Sequence, residues 1–158
     1  MQTLRLESRE GDRVRWVDTD DVIATAYDSG VPGHELSSVT TLRLWTARAT
    51  SGINLDAFNK GDYMRAVQAK NDSENVSRVL YPDDSTDHGK ELRLRQEYFF
   101  AAASLQDLVR RHQQLHGELS SLSDHTSIQL NDTHPAIAVA ELMRLLVDVY
   151  GMPWKSAW

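Results

Sequence analysis

The sequence predicts an α/β chain, and three observations carry that expectation. Alternating, β-branched segments fill roughly the first fifty residues, two long helical stretches follow, and a short apolar segment near Ile128 runs through a polar cluster into another helix.

Leu4, Leu6, Val14 and Trp16, and then Val22, Ile23, Thr25 and Tyr27, alternate with polar neighbours. Glu10-Gly11-Asp12 and Ser29-Gly30 interrupt them, so a hairpin opens the chain. After the turn-prone Val31-Pro32-Gly33, the run Val39-Thr40-Thr41-Leu42-Arg43-Leu44-Trp45 has the alternation of a strand with one buried face. Asn54 caps a short helix around Leu55 to Phe58, and Gly61-Asp62 closes it and opens a second from Tyr63 to about Val79. That helix sets Met64, Val67 and Val76 among Arg65, Gln68, Lys70, Asn71, Asp72 and Glu74, a thin apolar stripe that suits an element projecting from the body.

Tyr81 to Gly89 lacks periodicity and is dense in turn formers, which predicts a loop of the kind that carries function. A long helix follows from Lys90 to about His116. Its centre, Tyr98-Phe99-Phe100-Ala101-Ala102-Ala103, is apolar on every face and needs cover on all sides. Ser127-Ile128-Gln129-Leu130 reads as a short buried strand entering Asn131-Asp132-Thr133-His134-Pro135 and a helix to about Tyr150. Pro135 suits the first helical turn, where its missing N–H costs nothing. A polar cluster between a strand end and a helix start is where open α/β sheets place ligands.

The 158 residues contain no repeat or long linker, so one unit is expected. A formal charge of -6 gives no electrostatic basis for binding nucleic acid or anionic lipid. The absence of cysteine excludes a thiol nucleophile, a cysteine-based zinc site and disulfides, and fits a reducing compartment. No apolar leader follows Met1 and no segment is long enough to span a bilayer, so the expected location is the cytoplasm.

Nucleotide-binding glycine loops, nucleophile elbows, HExxH and CxxC are all missing. His112 and His116 have helical ligand spacing but no third ligand at an obvious distance, so they read as a solvated helix end and no metal is expected. The adjacent Asp83 and Asp84 do not have the opposed arrangement of a glycosidase pair and read as a solvated turn. Asp132 and His134 flank a helix start, where capping competes with a functional role.

Taken together, five ordered blocks change this reading. They are Leu42-Arg43-Leu44-Trp45; Phe58-Asn59-Lys60-Gly61-Asp62-Tyr63; Glu74 through Tyr81-Pro82-Asp83-Asp84-Ser85; Gly89-Lys90-Glu91-Leu92-Arg93-Leu94-Arg95-Gln96-Glu97-Tyr98-Phe99; and Gln129-Leu130-Asn131-Asp132-Thr133-His134-Pro135 followed by Glu141-Leu142-Met143-Arg144. From about Arg15 to Trp158 the chain resembles the α-glucan phosphorylases, and among them the bacterial glycogen phosphorylases.

The resemblance implies a pyridoxal phosphate-dependent glycosyltransferase of GT-B type, which releases terminal α-1,4-linked glucose as glucose 1-phosphate. Residues 1–158 correspond to a single partial domain, an internal part of the N-terminal Rossmann-like domain. The family's glycine-rich phosphate-side loop, catalytic-site histidine and cofactor lysine have no counterpart in it, so no catalytic or cofactor-binding residue is expected here and the isolated chain is expected to be inactive. Asp83, Asp84 and Ser85 match the mobile loop gating the catalytic cleft, and Arg93, Asp132 and His134 match positions lining the pocket beside the glucosyl site. Helix 63–79 matches the projecting helix of the homodimer interface. The implied partners are α-1,4-glucan, phosphate and a second copy.

Arg110 and Arg111 match a nucleotide-effector pair of vertebrate members and read here as a solvated helix end. Ser85 stands where many members have Asn, and Ala140 where many have Pro. Two other readings are a free-standing, non-catalytic glucan-binding or dimerisation module and a hydrolase using Asp84 and Asp132.

Overall fold

The computed structural model describes residues 5–10, 13–34 and 37–158, with side chains from Arg13 onward. Leu4, the Leu6 side chain and the expected break at Gly11-Asp12 lie outside the described residues. The elements in chain order are β1 (Arg5–Glu10), β2 (Arg13–Val17), β3 (Val22–Pro32), β4 (Val39–Ala49), α1 (Leu55–Asn59), α2 (Tyr63–Asn75), α3 (Asp87–His116), α4 (Leu122–His125), α5 (Ile137–Arg144) and α6 (Trp154–Ala157). The result is a mixed α/β chain with two small antiparallel sheets, β1 with β2 and β3 with β4. Contacts gather into two compact units, one of Met1–Asp20 with Glu97–Trp158 and one of Asp21–Gln96.

In the second of these units, β3 continues past the expected break at Ser29-Gly30, because Gly30 stays in register opposite Thr41 and Pro32 ends the ladder. The hairpin has two unlike faces. On one, Asp28 and Arg43 are cross-strand partners joined by an ion pair of 2.6 Å, and Ala47 is buried where β4 meets α2. On the other, Ile23, Tyr27, Val31, Leu42 and Leu44 are each about half exposed.

Asn54 caps α1 by accepting from the Ala57 N–H at 3.1 Å, and Asp62 caps α2 by accepting from the Arg65 N–H at 3.1 Å, both as the sequence suggests. Helix α2 packs along β4 through Ala66 and ends at Asn75, short of the expected Val79. Beyond Asn75 the chain tightens into i→i−3 turns, with the Ser77 N–H on the Glu74 carbonyl at 3.3 Å and the Arg78 N–H on the Asn75 carbonyl at 3.2 Å, and buried Gln96 of α3 donates from Nε2 to the carbonyls of Val76 and Val79, both at 2.9 Å.

The first unit is built on α3, whose Ala101 and Leu105 pack with Ala138 and Leu145, flanked by Ile137 and Leu142. Phe99, Ala101, Ala102 and Ala103 are all buried, so the apolar centre of α3 finds most of its cover within this chain. Helix α3 starts three residues before the expected Lys90 because the Thr86 hydroxyl accepts from the Gly89 N–H at 3.1 Å and caps it.

Residues 127–130 form no strand. A strand exists through its ladder, neither hairpin pairs with this segment, and Ile128 and Leu130 stay partly exposed. Pro135 stands in a single 3-10 turn, His134–Ala136, that leads into α5. The expected helix continues beyond Arg144 as a wider π turn over Leu145–Val149, whose Asp148 accepts from the Val14 N–H of β2 at 2.9 Å. Among the described residues no helix is long and apolar enough to cross a membrane.

Candidate functional site

The loop between α2 and α3 is shaped by its own polar side chains. Asp83 accepts from the Ser85 N–H at 3.0 Å and from the Ser85 hydroxyl at 2.8 Å. The Ser85 hydroxyl, then its N–H, hold the Asp83 carboxyl below the usual range. Asp83 is therefore occupied in forming the turn. Asp84 faces elsewhere: its Oδ2 pairs with Arg93 Nη1 at 2.8 Å. Both aspartates and Ser85 are exposed, whereas Arg93 is half-buried, with its guanidinium 5.8 Å from the centre of the Tyr81 ring.

Tyr81, Gly89 and Gln96, none of which the sequence reading singled out as site residues, anchor this loop. Tyr81 has a φ of 53°, an unusual conformation for a bulky residue, and its N–H donates to Gln96 Oε1 at 3.0 Å. Gln96, only 4% exposed, thus spends both ends of its amide on the chain entering the loop. At the other end a Cβ on Gly89 would stand 2.0 Å from the Asp83 carbonyl oxygen, so the loop closes on a position where only glycine fits. The signals are in the sequence: a turn of polar residues must be tied down somewhere, and Gly89 and Gln96 both stand in the stretch from Gly89 to Phe99 that carries the family resemblance.

Asp132 and His134 lie in the other unit. Asp132 takes a φ of 67°, accepts from the Thr133 N–H, and sets Oδ2 3.5 Å from His134 Nδ1. The Thr133 N–H, then the nearby His134 ring, hold its carboxyl below the usual range. Neither Asp132 nor His134 caps a helix: the residue preceding α5 is Ala136, with no side-chain cap bond, and Asp132 bonds only beside itself. An ionised, exposed Asp132 fits the nucleophile or base of a hydrolase pair and not its general acid.

Pyridoxal phosphate finds no fit among the lysines. Lys60, Lys90 and Lys155 are exposed, Lys90 lies 3.2 Å from Asp87, and half-buried Lys70 is bound to Glu74 at 2.8 Å. A Schiff-base lysine needs a desolvated, unpaired amine beside a phosphate cradle. Arg110 and Arg111 are exposed and share Asp107, at 2.6 and 3.1 Å, in keeping with a solvated helix end.

The histidines correct another expectation. His112 is buried, and His125 of α4 brings one ring nitrogen into a group with His112 and His116 in which all three lie within 4.8 Å of one another. Desolvation, then the adjacent His125 and His112 rings, hold His116 below its ordinary value, so it is neutral at pH 7.

Compared with known proteins, the chain matches the model of the carbohydrate phosphorylases over residues 2–158. It is 54% identical over 149 residues to the glycogen phosphorylase of Haemophilus influenzae and 52% identical over 149 residues to that of Pasteurella multocida, in each case covering 94% of this chain. The liver form of human glycogen phosphorylase is 50% identical over 152 residues, covering 91% of this chain. The chain spans only about 18% of the length of each of these relatives.

Proposed function

Because this chain belongs to the carbohydrate phosphorylase family, we propose that it is the gate-and-pocket segment of a glycogen phosphorylase, an enzyme that cleaves terminal α-1,4-glucosyl units with phosphate to give glucose 1-phosphate. In this reading its two units belong to the Rossmann-like first domain of a GT-B type enzyme, α2 and the turn after it contribute to a homodimer interface, and the enzyme works in the cytoplasm. Pyridoxal phosphate is carried by parts of the enzyme outside this segment.

The observation that carries the gate is the way the 81–86 loop is held. Its entry is fixed by buried Gln96 on Tyr81, Gly89 packs against the Asp83 backbone, and Asp84 is tied to Arg93 by an exposed ion pair. A surface pair of this kind contributes about 0–1 kcal/mol, so the hold of Asp84 on Arg93 can be released at little cost while Gln96 keeps the loop's entry in place. That is what a loop controlling access needs. Asp132 and His134 suit a different task, since Asp132 is an ionised carboxylate at a fixed backbone position and can orient a sugar hydroxyl or a neighbouring imidazole.

The test is a chimera in which residues 15–158 replace the matching segment of the Haemophilus influenzae glycogen phosphorylase. The expected result is release of glucose 1-phosphate from glycogen in the presence of phosphate. A chimera that folds, binds its cofactor and releases none would overturn the proposal. If the segment were a free-standing glucan-binding module, the isolated 158-residue chain would itself bind maltodextrin, and no such binding is expected.

A further inference from the structure

From the histidine cluster we infer that the C-terminal end of α3 and the turn leading through α4 form a binding site for one zinc ion, with His112, His116 and His125 as ligands.

His112 and His116 are one helical turn apart, on the same face. The chain then reverses at Gly117, whose φ is 83°, and returns through α4 to set the His125 ring 3.8 Å from the His116 ring. Two of the three histidines have their protons placed by the surrounding chain. His112 Nε2 lies 3.0 Å from the Glu118 carbonyl and 3.2 Å from Ser121 Oγ. The Ser121 hydroxyl proton is already given to that same carbonyl at 3.1 Å, so both neighbours can only accept and His112 Nε2 must carry the hydrogen. His125 Nδ1 faces the Ser121 carbonyl at 3.0 Å and must likewise carry its hydrogen.

The lone pairs left for a metal are on His112 Nδ1 and His125 Nε2. An imidazole that donates one N–H to a backbone carbonyl while its other nitrogen is available is the arrangement that fixes ring orientation and raises basicity in metal-binding histidines. Three imidazoles without a carboxylate or thiolate favour zinc over calcium or magnesium, which take oxygen ligands. Zinc–nitrogen bonds of about 2.0–2.1 Å place tetrahedral ligand nitrogens roughly 3.3 Å apart. The cluster must therefore tighten from its present spread of up to 4.8 Å. Exposed His116 is the ring that turns, while His112 and His125 keep the carbonyl bonds that orient them. A solvent molecule completes the fourth position on the exposed side.

This inference is independent of the proposed activity, and zinc here ties α3 to α4 with no role in glycosyl transfer. The test uses the whole 158-residue chain, stripped of metal and titrated with Zn²⁺ against a chromophoric chelator, alongside His116→Ala and His125→Ala. The expected result is one zinc per chain, a higher melting temperature with zinc than without, and affinity lowered at least about tenfold to a hundredfold in each variant, since loss of an outer-shell partner alone costs that much. Both substituted residues are exposed, so the zinc-free variants should keep the parent's circular dichroism. Absence of one-to-one uptake by the parent chain, or uptake of unchanged affinity in both variants, would overturn the inference.

Discussion

Asp84 reaches back across the loop to Arg93 on α3, with Oδ2 2.8 Å from Nη1, while its neighbour Asp83 turns inward to Ser85. Two consecutive carboxylates thus have separate tasks. Replacing Asp84 by Ala in the isolated chain should change stability by less than about 1 kcal/mol, because the pair is exposed. In the chimera the same change should alter KM for phosphate or glucan and leave kcat largely intact. Chemical denaturation and steady-state kinetics read the two effects separately.

Gln96→Leu should be far more damaging to the fold than Asp84→Ala. It leaves the Tyr81 N–H and the Val76 and Val79 carbonyls without their partner, at a cost of about 2–3 kcal/mol. Denaturant midpoints of the two variants measured side by side give the comparison.

Gly89→Ala tests the packing of Gly89 against the Asp83 backbone. A methyl group there collides with the Asp83 carbonyl, which is backbone and must move. The amide resonances of Asp83, Asp84 and Ser85 should shift together while those of β3 and β4 stay unchanged.

Tyr98 supplies a pH prediction. Burial, then the Glu141 carboxylate 3.3 Å from its hydroxyl, push its pKa up to about 12. The raised value means the folded state holds this proton longer than the unfolded chain, whose tyrosines titrate near 10. The stabilisation is complete below about pH 10 and is lost as pH rises through about 12. Ultraviolet titration should show one late tyrosine, and Glu141→Gln should bring its transition to lower pH.

The local elements were legible in the sequence because their causes are local. Asn54 and Asp62 cap α1 and α2 as their positions suggest, and alternation located β3 and β4. What escaped the reading depended on distant partners. The Val76 and Val79 carbonyls after α2 are met by Gln96, twenty residues beyond Val76; the Ser127–Leu130 segment has strand-like composition but pairs with neither hairpin; and His125 joins His112 and His116 only after the chain turns at Gly117. The candidate site was located by the family resemblance, whereas the bonds that hold its loop came from the structure. Apolar surface was misjudged in the same way. The centre of α3 is covered, whereas Ile23, Tyr27, Val31, Leu42 and Leu44 on one face of the β3–β4 hairpin are among the large apolar side chains left exposed.

That face predicts how the isolated chain behaves. Leu42 and Leu44 are 52% and 59% exposed, beside Ile23, Tyr27 and Val31. The chain should bind ANS and self-associate at micromolar concentration. Leu42→Thr with Leu44→Thr keeps strand preference while removing apolar surface, and should reduce both effects in fluorescence and sedimentation measurements.

The most direct measurement is the steady-state rate of glucose 1-phosphate release by the chimera with and without Asp132→Asn. Asn tolerates the left-handed backbone at this position as Asp does, and no helix cap is lost, so the melting temperature should not move. The expected result is a kcat lowered by about tenfold or more with KM little changed, because on the proposed function an oriented charge that positions the sugar is removed. Full kcat in the substituted chimera, or activity lost only in proportion to folded protein, would contradict it.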